Sequence, residues 1–145
     1  MLIPDVNLLV YAYNEDAPSH SAAKEWWETL LSEDEPVGLA WVAMLGFVRI
    51  MSNRRVLASP MPLVEAVGHC RAWLAMPNVR IVLPGPSHLD VMASLLGGPM
   101  GSNLVTDAHL AALAIENQAE LQSNDSDFGR FSGLRWRNPV AGMGE

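Results

Sequence analysis

Apolar residues along this chain gather in short runs, and the runs change period at proline, glycine and acidic punctuation. Leu2-Ile3-Pro4 reads as a short buried strand that ends in the carboxylate of Asp5. Asn7 to Tyr13 is almost wholly apolar and predicts a brief buried helix. Pro18-Ser19 opens a longer helix to about Ser32, with Ala22, Trp26, Thr29 and Leu30 near one face and Lys24, Glu25 and Glu28 outward. The acid-rich stretch Glu33 to Pro36 is a turn, Val37 to Ala40 a second strand, and Trp41 to Ser52 a third helix ending in Asn53-Arg54-Arg55. After Pro60 and Pro62, Leu63 to Met76 is amphipathic and stops at Pro77. Arg80 to Leu83 is a third strand, followed by a helix from near Ser87, a glycine-rich linker from Gly97 to Asn103, and a helix from about Thr106 to Gln118. Glu120 to Ser123 predicts a fourth strand and Leu134 to Trp136 a short fifth.

Strands that alternate with helices imply crossover connections, and so an α/β fold with a mostly parallel central sheet of four to five strands between two helical layers. In such sheets ligands gather beyond the carboxyl ends of the strands. The first strand delivers Asp5, with Asn7 two residues on; the fourth delivers Ser123, Asn124, Asp125 and Asp127; the helix after the glycine linker begins at Thr106-Asp107. Each taken singly is an ordinary helix cap or turn residue. Their joint placement, at the ends of two strands and the start of one helix, favours a site.

The length of 145 residues and 50% hydrophobic content support one domain with a real core and exclude a disordered chain. Cys70 has no second cysteine to pair with and is expected to be a buried, inert thiol in a reducing compartment. The apolar run Pro36 to Val48 is shorter than the roughly 20 residues that cross a bilayer, and Met1 to Asp5 has no basic leader, so a soluble, cytoplasmic protein is expected. A net charge of −7 argues against a protein that coats nucleic acid non-specifically. Yet the basic residues are all Arg except Lys24, which favours forked contacts to phosphate over a diffuse cationic surface.

Carboxylates crowded at one sheet edge repel one another, so some protonate or a cation neutralises them. An oxygen-rich acidic site open to water suits Mg²⁺ or Mn²⁺, which can activate water and stabilise the oxygens of a phosphodiester during displacement. No Gly-Lys-Ser/Thr follows the glycine linker, so no P-loop is indicated, and His20, His69, His88 and His109 have no paired metal spacing. His109, two positions after Asp107, points to a different face of its helix.

At Asp5-Val6-Asn7, Thr106-Asp107-Ala108-His109-Leu110-Ala111-Ala112-Leu113-Ala114 and Ser123-Asn124-Asp125-Ser126-Asp127-Phe128, the chain resembles the PIN-domain ribonucleases, and more narrowly the VapC toxins of bacterial toxin–antitoxin pairs. The likeness includes Leu45 to Arg49, Ser52 to Val56 and Arg130 to Pro139. It implies a three-layer α/β/α PIN domain over residues 1–140, with 141–145 as a tail. It further implies a Mg²⁺- or Mn²⁺-dependent endoribonuclease acting on structured RNA of the tRNA or rRNA class, a VapB-type antitoxin partner and a homodimer. Carried over by position, Asp5, Asp107 and Asp125 are the catalytic metal-holding acids, Asp127 an accessory acid, and Asn7 and Ser123 the polar residues that orient them.

Most PIN domains carry a Glu on the third helix where this chain has Gly46, which is expected to weaken metal binding or route it through water. Glycine inside a helix costs about 1 kcal/mol relative to alanine, so close packing of another segment is expected there. Arg49, three residues on, is expected to reach toward the acids or the scissile phosphate, and Arg54, Arg55 and Arg135 are candidate contacts to RNA backbone. Two rival readings share parts of this picture: a catalytically weak PIN-fold module that binds RNA or protein, and a metal-dependent phosphatase for small phosphoesters.

Overall fold

A computed structural model describes residues 1–142. Five strands form one sheet: β1 (Leu2–Pro4), β2 (Val37–Ala40), β3 (Val79–Val82), β4 (Glu120–Gln122) and β5 (Trp136–Arg137). Six α-helices accompany them: α1 (Val6–Tyr13), α2 (His20–Ser32), α3 (Trp41–Met51), α4 (Leu63–Leu74), α5 (His88–Leu95) and α6 (Val105–Glu116). The strand order is β3-β2-β1-β4-β5 and every pairing is parallel, so the sheet is wholly rather than mostly parallel.

The chain builds outward from β1 to β2 and β3, then returns to lay β4 and β5 on the other side of β1. Right-handed crossovers in opposite directions put helices on both faces, α1 to α4 over one and α5 with α6 over the other. The point where the direction reverses lies between β1 and β4, and there the register pairs Pro4 with Gln122. Asp5 and Ser123, the next residues, therefore leave the sheet side by side.

Burial follows position in the sheet. Every residue of β2, an inner strand, is buried, whereas edge strand β3 buries only Val79 and Val82. Helix α6 packs through Ala108, Ala111, Ala112 and Ala114 together with Leu110 and Leu113, small residues that let the helix lie close to its neighbours. Gly46 fits the expectation of close packing: a Cβ there would stand 3.0 Å from Val6 Cγ2, so α1 and α3 cross where no side chain fits between them.

Two expectations need correction. The buried stripe of α2 is Ala22, Ala23, Trp27 and Leu30, not the face containing Trp26 and Thr29, because Trp27 meets Trp73 edge-on at 5.4 Å. Trp26 is only half-buried and donates its indole N–H to Gln122 Oε1 at 2.7 Å. Helix α6 ends at Glu116 rather than Gln118, whose φ of +52° is left-handed, and Ala119 N–H closes the end on the Ala114 carbonyl at 2.8 Å. Of the expected tail, Ala141 and Gly142 form a turn, and residues 143–145 lie outside the described residues. Cys70 is buried and its thiol is pushed up to about 11 by desolvation, as an inert thiol should be. Among the described residues no helix is long and apolar enough to cross a membrane.

Candidate active site

The end of β1 supplies Asp5, which is buried and caps α1: its Oδ1 accepts the Val6 N–H at 2.7 Å. Its other oxygen accepts the Ser123 hydroxyl at 2.7 Å. The backbone N–H of Asp5 in turn donates to the Gln122 carbonyl at 2.8 Å, so the acid is fixed to the sheet from both sides.

Ser123 is the hub of the site. Besides donating to Asp5, its Oγ accepts from the Asp125 N–H at 3.0 Å and from Asn7 Nδ2 at 3.3 Å. Trp136 of β5 donates its indole N–H to the Ser123 carbonyl at 3.1 Å. Asp125 then accepts the Asp127 N–H at 2.9 Å and caps a short 3₁₀ turn over Ser126–Arg130. Asn7 also accepts from the Asn124 N–H at 3.4 Å, and Asn138 donates to Asn124 Oδ1 at 2.9 Å. Ser123 thus bonds the Asp5 carboxylate itself, whereas Asn7 acts through Ser123 and the Asn124 backbone. Trp136 and Asn138 lie within the Arg130 to Pro139 stretch but carry no local sign of a site role, since only the pairing of β5 beside β4 brings them there.

Asp107 arrives on the first turn of α6 from the opposite helical layer. Desolvation pushes its carboxyl up to about 6, and the charges of Asp5, Asp125 and Asp127 push in the same direction. The carboxyl of Asp5 is raised as well, chiefly by burial and further by Asp125, against the lowering effect of its bonds to Ser123 and Val6. The four acids named from sequence therefore share one electrostatic site. Among the described residues only Asp127 has a cation beside it, Arg130 at 3.5 Å.

This is the chemistry of a hard divalent cation: oxygen donors, surplus negative charge and access to water. No three of these side chains already converge as a ligand set among the described residues. A divalent ion that keeps several of its waters needs only one or two carboxylates from the protein. Asp5, Asp107 and Asp125 would hold it, with Asp127 at the rim.

Arg49 lies elsewhere. It lines a groove of about 570 Å³ together with Arg54, Arg55, Ser52 and Asn53, and no carboxylate lines that groove. Among the described residues none of these three arginines has a salt bridge. Arg135 is separate again, with its guanidinium donating to the Gln118 carbonyl at 2.5 Å, and Arg137 pairs with Glu120 at 3.2 Å.

Known proteins of the same kind can be set beside this geometry. The PIN domain family model matches residues 2–134. Ribonuclease VapC33 of Mycobacterium tuberculosis is 43% identical over 141 residues, covering 97% of this chain and 99% of the relative. Ribonuclease VapC37 of the same organism is 43% identical over 142 residues, with the same coverage. Among solved structures, Mycobacterium tuberculosis VapC20, described as a Sarcin-Ricin loop cleaving toxin, superposes with a TM-score of 0.68 at 18% identity. That match covers 93% of this chain and 99% of the other. A chain of VapBC2 from Rickettsia felis, solved bound to a promoter DNA fragment, gives 0.64 at 20% identity over 94% and 97% of the two chains.

Proposed function

We propose, from the premise that the chain belongs to the PIN-domain family and within it to the VapC ribonucleases, that it is the toxin of a type II toxin–antitoxin pair and a Mg²⁺- or Mn²⁺-dependent endoribonuclease. The observation that supports the metal-dependent chemistry is that Asp107 is driven up to about 6 by burial and by the charges of Asp5, Asp125 and Asp127, beside the reversal point of the sheet. A divalent ion bound there would activate a water and offset charge on a phosphodiester in displacement.

The chain's own residues supply the rest. Ser123, bonded to Asp5 and Asp125, keeps the two sheet-borne carboxylates in fixed relation, so they need not reorganise when charge develops. Asn7 adds a second tether to Ser123. Arg49, Arg54 and Arg55 offer three forked donors along one groove for the sugar-phosphate chain outside the acidic site. This division supports an RNA enzyme with a net charge of −7: Asp5, Asp107, Asp125 and Asp127 belong to the metal end, and Arg49, Arg54 and Arg55 to the groove. Structured RNA of the tRNA or rRNA class is the proposed substrate. A VapB-type antitoxin and a homodimer are the proposed protein partners, and the exposed Trp41, Leu45 and Val67 of α3 and α4 support assembly with another protein.

The test is incubation of the purified, partner-free chain with tRNA and rRNA plus Mg²⁺ or Mn²⁺, against EDTA and an Asp5→Asn variant. Discrete cuts that need the metal and vanish in the variant are expected. RNA binding without cuts would instead establish the catalytically weak module, for which the absence of a Glu at Gly46 is the one structural ground.

A further inference from the structure

The three catalytic acids are not held alike. Asp5 accepts two hydrogen bonds and Asp125 is tied through Ser123, both at strand ends. The Asp107 carboxylate accepts none among the described residues, so its location depends on where α6 lies. Helix α6 is seated by its buried Ala and Leu face and by buried Leu104 just before it, and polar side-chain contacts with α5 add to that seating.

A half-buried polar chain joins the two helices. Glu116 Oε1 accepts the Gly85 N–H at 3.0 Å, and Oε2 accepts His88 Nδ1 at 2.5 Å. His88 Nε2 faces His109 Nδ1 at 2.8 Å, with the two rings edge-on at 78°. A carboxylate only accepts, so the His88 proton sits on Nδ1, and in neutral His88 the Nε2 lone pair accepts from His109 Nδ1–H. With His88 neutral, direction and tautomer follow along the whole chain. His109 and Glu116 are seven residues apart and share a face of α6, so His88, the first residue of α5, lies across two turns of it. Among the described residues these are the side-chain hydrogen bonds between α5 and α6, and both involve His88.

We propose that Glu116 and His88 are positioning residues for Asp107: acting through His109, they fix α6 against α5 and the turn at Gly85, and so set the Asp107 carboxylate against Asp5 and Asp125. This rests on the reading that these acids hold a divalent ion. It also gives His109 a task away from the reacting atoms, on the face of α6 turned from Asp107.

Direct Mn²⁺ binding, by calorimetry or by electron paramagnetic resonance of the free ion, tests it. His88→Phe keeps an aromatic ring of similar size but removes both hydrogen bonds. It is expected to weaken Mn²⁺ about tenfold, the scale on which outer partners of metal ligands act. Cleavage at saturating Mn²⁺ should stay within about twofold of wild type, an effect on metal half-saturation and not on kcat. Glu116→Gln, which can accept only one of the two N–H groups, should show a smaller loss in the same direction, and decides the matter if His88→Phe does not fold. Ser94→Ala is the control, since that hydroxyl bonds only the Val91 carbonyl of its own helix. Nitrogen-15 shifts should place the His88 ring in the Nδ1–H tautomer at neutral pH. Wild-type Mn²⁺ affinity in folded His88→Phe, or an Nε2–H tautomer for His88, overturns the proposal alone. Wild-type protein whose Mn²⁺ binding is absent or indifferent to Asp5→Asn overturns the metal-site reading and this inference with it.

Discussion

On the α1–α4 side of the sheet, Trp73 packs edge-on against Phe47 at 4.8 Å and Trp27 at 5.4 Å, and donates its indole N–H to the Tyr13 hydroxyl at 2.8 Å. At the carboxyl edge of the same sheet, Asp5, Asp107 and Asp125 stand close enough to raise proton affinity, with no cation beside them among the described residues. Both regions are buried or half-buried, and both draw on residues far apart in sequence. In the aromatic cluster Trp73 finds its hydrogen-bond partner in Tyr13 while Trp27 Nε1 has none among the described residues, and it is the packing of the rings that lowers the free energy of the fold. The acidic edge leaves repulsion unrelieved, and what is unrelieved in the free chain is available to a ligand. Stability and function are thus drawn from separate places in one small domain.

The sharpest way to break this contrast is to remove its stable half. Trp73→Ala deletes a ring that touches three other aromatic groups, and large-to-small core changes of this kind cost roughly 3–5 kcal/mol. Denaturant unfolding should show that loss. Because the cluster does not touch the acids, the fraction that remains folded should bind Mn²⁺ like wild type. A change in the affinity of the folded fraction would show that the two regions are coupled.

The acidic half should respond with the opposite sign. Asp107→Asn removes a charge that burial and then three other carboxylates disfavour, so the metal-free protein should gain on the order of 1 kcal/mol after solvent screening is allowed for. Cleavage should nevertheless fall by about 10²-fold or more. In the wild type the group at about 6 takes up a proton in the folded state before it does so in the unfolded chain, whose value is near 3.8. Stability of the metal-free protein from this group should therefore rise as pH falls from 7 through 6 toward 4, while Mn²⁺ affinity falls over the same window. The raised carboxyl of Asp5 contributes in the same direction. Asp107→Asn should flatten the Asp107 part of the stability rise, measured by thermal unfolding across that range.

The two halves were not equally legible in the sequence. Asp5, Ser123, Asp125 and Asp107 could be found because each follows a short apolar run or opens an alanine-rich helix, and those local signals fix which end of the sheet they reach. The parallel sheet followed from the same alternation. The aromatic cluster was harder: Trp26 and Trp27 offer equal local claims to the core, and only Trp73, distant in sequence, selects Trp27. Gln118 carries none of the glycine signal that normally ends a helix, so the left-handed turn there was missed. The Glu116–His88–His109 chain has no local signature at all, because its partners lie 28 and 21 residues apart. The helical spacing of Arg49 from Gly46 predicts a reach toward the acids or the scissile phosphate; the structure sets it in the groove with Arg54 and Arg55, which no carboxylate lines.

Gly46 is where the packed half and the acidic half meet, and it gives the smallest and most discriminating effect. Its missing side chain admits Val6, whose own N–H is held by Asp5. Alanine in a helix is favoured over glycine by about 1 kcal/mol, but a Cβ 3.0 Å from Val6 Cγ2 forces a shift that offsets the gain. Gly46→Ala alone should therefore be no more stable than wild type. In a Val6→Ala background the obstructing methyl is gone, and the same change should stabilise by about 1 kcal/mol. The coupling between the two substitutions, read from denaturant midpoints, measures how tightly α1 is pressed onto α3 beside Asp5. If Gly46→Ala were equally stabilising in both backgrounds, Val6 would not be what excludes a side chain there, and the vacant Glu position would need a different cause.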